Sequence, residues 1–186
     1  MNLKLKLVLA MVLGVSLSLV VSPAAAQVKN SGASAITLQA VLTDSISVTL
    51  SGNAVNFTMT PGSGSNAGST AITATTRWLL KPSVNSVKVY AFFASSAAAL
   101  TNGAGSNIPS ADFQISNNAG PLTALTNTVA FGGANAGLQL SSTRILGNNR
   151  TGSHADTMNF NINLAPLPNL PPGTYTGTLT IQAQAI

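Results

Sequence analysis

The chain has 186 residues, 6% of them charged, with eight Lys or Arg against three Asp, no Glu, one His and no cysteine. Lack of cysteine excludes disulfide staples and an acylated lipoprotein anchor, and a single His leaves no His/Cys set for zinc. Ordinary soluble domains are about a quarter charged, so the surface here is expected to be Thr, Ser, Asn and Gln, which hydrogen-bonds well and repels its like poorly.

Lys4 and Lys6 stand ahead of an apolar run from Leu7 to Val21, which Ser22-Pro23-Ala24-Ala25-Ala26 closes with small residues. A basic start, an apolar stretch and an Ala-x-Ala end predict a secretory signal over 1-26, cut after Ala26. The run is short for a span of about 20 residues, so no membrane span is expected after cleavage. The expectation is a protein secreted or held at the cell surface, reached through the periplasm, with 27-186 forming a single domain large enough for a real core.

A polar leader, Gln27-Val28-Lys29-Asn30-Ser31-Gly32, comes next. Behind it Ile36, Leu38, Ala40 and Leu42 alternate with Thr37, Gln39 and Val41. Such a stretch, 34-42, can pair within its own sheet or leave to complete the sheet of a neighbour. Helix formers are scarce, while period-two runs recur at Ser45 to Leu50, Ala54 to Met59, Ala71 to Leu80, Val84 to Phe93, Asp112 to Ser116, Leu138 to Leu146 and Met158 to Leu164. Gly-, Asn- and Pro-rich turn clusters separate them. The closing segment alternates over twelve residues, with Tyr175, Leu179, Ile181, Ala183 and Ala185 on one face and threonines and glutamines on the other. The pattern predicts an all-β chain, an Ig-like antiparallel β-sandwich of about eight to nine strands. An outer-membrane barrel would need aromatic girdles that this chain lacks.

Ser153-His154-Ala155-Asp156 contains the residue types of a hydrolytic triad. Neighbours on an extended chain point to opposite faces, so Ser153 and His154 do not meet as nucleophile and base. Scattered Asp residues without Glu leave no paired carboxylates for glycoside hydrolysis and no oxygen cluster for a hard cation. No catalytic residue, cofactor or metal site is expected, and the chain does not read as an enzyme. The basic residues are spread along the sequence rather than clustered as nucleic-acid binding requires, so no nucleic-acid partner is expected. Trp78 and Tyr90 form a candidate ligand-stacking pair for a sugar, but the apolar Leu79-Leu80 beside Trp78 favours a core aromatic between two sheets.

Val28-Lys29-Asn30 leading into Ala35-Ile36-Thr37-Leu38-Gln39-Ala40-Val41, then Ile46-Ser47-Val48-Thr49-Leu50, and the C-terminal Pro172-Gly173-Thr174-Tyr175-Thr176-Gly177-Thr178-Leu179-Thr180-Ile181 resemble bacterial pilus subunits of the chaperone-usher class, the cysteine-free alpha type. The last stretch also looks like the closing strand of spore coat protein U-like secreted domains. The chain departs from the common pilin pattern in having neither a disulfide nor an aromatic at the C-terminus. The resemblance implies an incomplete Ig-like fold completed by a neighbour's strand, with Ile36, Leu38, Ala40 and Leu42 as the inserting residues. It also implies self-association or pairing with related subunits, and a periplasmic chaperone as partner. The expected function is therefore a structural subunit of a surface fibre or matrix. A cell-surface carbohydrate-binding or adhesive module is the alternative.

Overall fold

The computed structural model describes residues 33-186. The expected signal segment and the leader up to residue 32 lie outside the described residues. The chain divides into two units, Met1–Ala40 and Val41–Ile186. In the first, residues 33-40 carry no strand or helix and are exposed. Every strand of the described residues lies in the second.

That second unit is all-β. Its strands are β1 (Ser45–Leu50), β2 (Asn66–Ala67), β3 (Ile72–Leu79), β4 (Ser86–Phe92), β5 (Leu100–Thr101), β6 (Asn107–Ile108), β7 (Phe113–Asn117), β8 (Leu122–Ala124), β9 (Gly137–Arg144), β10 (Thr151–Ile162) and β11 (Thr180–Ala185). One sheet runs β1-β3-β10-β7-β8 with β2 added on β10, a second runs β11-β4-β9, and β5-β6 form a small hairpin. Ladder pairings are antiparallel throughout.

The two larger sheets pack face to face because alternate residues of each are apolar. Along β3, Ile72, Ala74, Thr76 and Trp78 are buried while Arg77 is exposed. Ile72 and Ala74 meet Met158, Phe160 and Ile162 from β10, Ile115 from β7 and Ala91 from β4 in the main core. Each such large apolar side chain contributes about 1.5–3 kcal/mol when fully buried. A smaller cluster of Trp78, Leu80, Val84, Val87 and Ile145 fills the opposite end.

The order β1-β3-β10-β7 follows the A-B-E-D sheet of an immunoglobulin sandwich, and β4 beside β11 follows its C-F pair. The match is not complete. Strand β9 flanks β4 although it follows β7 in the chain, and among the described residues no strand lies outside β11, where that fold carries G.

Four expected runs differ from the structure. The Met158 to Leu164 run is the end of a longer strand, β10, which begins at Thr151. Residues 34-42 form no strand, and Ala54 to Met59 contributes only the isolated bridge from Phe57 to Gly68. The closing alternation holds sheet pairing only from Thr180 onward. Before that, Thr176 bridges Thr101 instead, and the backbone at Gly177 runs so close to Ala99 that a Cβ would lie 2.0 Å from its carbonyl oxygen. Only glycine permits that approach, so the chain leaves the sheet there.

Candidate functional site

β1 and β11 are the edge strands of the two facing sheets and lie side by side along one flank. Among the described residues, β1 pairs in a ladder only with β3, and β11 only with β4. No backbone hydrogen bond joins β1 to β11 among the described residues. The outer edge of each therefore presents unpaired N–H and C=O groups, the template on which a further strand pairs.

The walls of this groove are apolar. Val48 of β1 and Leu179 and Ile181 beside or on β11 pack against the main core yet stay half-buried. Ile46 and Leu50, on the same face of β1 as Val48, are 36% and 41% exposed. On β11, Ala183 and Ala185 follow Ile181 at alternate positions, both half-buried. A sandwich that sealed its own flank would bury such positions. Here the core opens outward along the groove.

The four candidate inserting residues are accounted for as follows. Ile36, Leu38 and Leu42 are 85%, 89% and 78% exposed, and Ala40 is exposed as well. None belongs to a strand. The segment thus offers apolar side chains and unpaired backbone in the same stretch.

Trp78 and Tyr90 are not brought together. Trp78 points inward from β3 into the smaller cluster, 5% exposed, and its Nε1 donates to the Asn149 carbonyl at 3.0 Å. Tyr90 lies on β4 of the other sheet, with Phe131 packed edge-on against its ring at 6.0 Å. Both rings are covered, so neither offers a face for sugar stacking.

A second constellation sits between the sheets, where the two apolar clusters part. Asp156 of β10 is fully buried. Its Oδ1 accepts from Asn117 Nδ2 of β7 at 2.8 Å, and its Oδ2 accepts from Ser141 Oγ of β9, in the opposite sheet, at 2.8 Å. His154 Nε2 lies 3.4 Å from Oδ1. Ser141 reaches inward because the β4–β9 register shifts between Val89 and Tyr90. That bulge lets Leu140 join the main core and the next residue meet Asp156. Two further buried oxygens, Thr76 Oγ1 and Asn117 Oδ1, have no partner among the described residues. Ser153 and His154 lie on opposite faces of β10, as neighbours on a strand must, and Ser141 donates to Asp156 rather than to His154. The cluster joins sheets; it holds no nucleophile facing a base.

Asp112 is the other buried carboxylate, and burial pushes its pKa above the ordinary Asp value. Among the described residues no three His, Cys, Asp or Glu side chains gather as a metal site. Sequence reading missed the Asp156 cluster although one signal was present: His154 and Asp156 are two apart on a strand and share a face. The arrival of Ser141 depended on the bulge, which has no signature in the alternation.

No protein-family model, curated protein or solved structure matches this chain.

Proposed function

We propose that the protein is a secreted structural subunit of a bacterial surface fibre or matrix, assembled by β-strand complementation. The apolar positions Ile36, Leu38, Ala40 and Leu42 of one copy fill the β1–β11 groove of the next. The observation that carries this reading is the flank itself, two facing edge strands with no hydrogen bond between them and half-exposed apolar walls. A strand laid there satisfies both backbone edges and covers Ile46, Val48 and Leu50 from water, while alternate side chains set its register. A periplasmic chaperone that occupies the same groove before assembly fits the scheme.

Size-exclusion chromatography with light scattering on the purified protein tests it. The parent forms oligomers, and Leu38→Asp leaves monomers of unchanged melting temperature, because a charge in a dry groove costs several kcal/mol whereas at an exposed position it costs little. Those monomers then bind a synthetic peptide of residues 34-42. A parent that runs as a stable monomer, with 34-42 protected from protease, overturns the reading.

A further inference from the structure

The basic residues that look scattered along the sequence converge in space. Arg77 lies two residues from the end of β3, and Lys81 follows in the turn to β4. Lys88 is near the start of β4, Arg144 ends β9, and Arg150 immediately precedes β10. The ladders place all these strand ends at one end of the sandwich: Thr151 pairs Leu79, and Arg144 pairs Ser86. Every Lys and Arg of the described residues is there.

The acidic residues do not balance them. Asp112 and Asp156 are buried, and among the described residues Asp44 is the one acidic side chain at this end, 3.6 Å from Lys81. Among the described residues, the opposite end, built from the loops around Pro61, Asn102, Gly132 and Pro168, carries no charged side chain except buried Asp112.

The charges wrap around the end instead of lying in one plane. Arg77 projects from the outer face of the β1-β3-β10 sheet, level with Ser47 and Ser153. Lys88 and Arg144 project from the outer face of the other sheet, and the two faces are separated by the thickness of the sandwich, with sheets about 10 Å apart. Lys81 and Arg150 sit at the tip between them, held together by Arg150 Nη1 donating to the Lys81 carbonyl at 2.7 Å. A planar membrane meets one face or the tip, whereas a flexible linear polyanion meets all three.

Beside Arg77 is a shallow hollow of about 280 Å³ lined by Thr49, Leu50, Ser51, Thr73, Thr75 and Arg77. The hydroxyls of Thr49 and Thr75 and the Arg77 guanidinium have no hydrogen-bond or ion-pair partner among the described residues. Hydroxyls with one guanidinium suit a sugar ring bearing a carboxylate, which Arg holds with two parallel hydrogen bonds. Single-stranded nucleic acid binding relies on exposed aromatic platforms, and no aromatic ring of the described residues is exposed.

We propose that this basic end binds an acidic polysaccharide, with the hollow at Arg77 holding one carboxylated sugar residue and Lys81, Lys88 and Arg144 following the chain onward. The hollow shares Leu50 with the rim of the β1–β11 groove, while Arg77, Lys81, Lys88 and Arg144 lie outside that groove, so the proposal does not depend on strand complementation.

The test uses the full chain with alginate, a polyuronate, against neutral dextran, by retention on beads and by titration. The expected result is retention on alginate but not dextran, lost as salt shortens the screening length from about 10 Å at 0.1 M to about 3 Å at 1 M. Binding weakens about tenfold in Arg77→Gln/Lys88→Gln/Arg144→Gln, whose circular dichroism and melting match the parent. Thr75→Val, which removes only a hydroxyl from the hollow, weakens alginate binding without altering the salt dependence. Unchanged binding in the triple variant, equal retention on dextran, or tighter binding to duplex DNA or anionic vesicles than to alginate each overturns the proposal.

Discussion

The interior of the sandwich and its β1–β11 flank join the two sheets in opposite ways. Inside, Asp156 of β10 reaches across to Ser141 of β9 and ties the sheets with a buried hydrogen bond. Along the flank, β1 and β11 face each other with apolar side chains and, among the described residues, no backbone hydrogen bond. A polar tie demands one spacing and one register, because a buried acceptor that loses its donor is heavily penalised. Apolar walls demand only that something cover them. The pinned interior therefore fixes how the sheets sit, and the open flank is free to accept an added strand.

Substitutions separate the two. Asp156→Ala removes the acceptor of two buried donors and is expected to cost about 3 kcal/mol, read from urea unfolding. It should leave the assembly of whatever remains folded intact. Ser141→Ala deletes only the inter-sheet bond and costs about 1 kcal/mol in the same assay. His154→Gln costs less than that, since the imidazole is part-exposed and sits 3.4 Å from the carboxylate. Leu38→Asp shifts unfolding by no more than about 0.5 kcal/mol, as befits an exposed position, while abolishing oligomers. A comparable loss of stability in Leu38→Asp would remove the contrast between the pinned interior and the open flank.

Asp112 sharpens the meaning of the tie. It is buried like Asp156, but its carboxylate accepts no hydrogen bond from the described residues and its pKa is raised by desolvation. Below the ordinary Asp value, about 3.9, both folded and unfolded chains hold the proton and the group favours neither. As pH rises through the higher folded value the unfolded state ionises first, so Asp112 weakens the fold toward neutrality. Asp112→Asn is expected to flatten that part of the stability profile and to raise stability slightly at pH 7, measured by thermal melts across pH 3 to 7.

Much of the fold was legible because alternation is read residue by residue. β1 coincides with the Ser45 to Leu50 run, and β3, β4, β7 and β9 fall within two residues of theirs. Strands of two or three residues, such as Asn66–Ala67 and Leu122–Ala124, are too short to alternate and were invisible. The twelve-residue run ending at Ala185 misled because alternation records which face a residue takes, not which strand its backbone joins. Gly177 breaks the sheet without breaking the pattern. Of the groove, Ile46, Val48, Leu50 and Ile181 stood in recognisable strands, but their partial exposure follows from what is missing beside them, a property of topology. The convergence of Arg77, Lys88 and Arg144 has the same origin, since antiparallel pairing brings distant strand ends together.

That convergence gives the folded domain a strong electric dipole along its length. Two copies approaching with their basic ends together repel, while a basic end meeting an uncharged end does not. At low ionic strength, collisions that line subunits up in the same direction outnumber those that oppose them, and added salt erases the bias. The molecule carries a sense of direction in its charge alone.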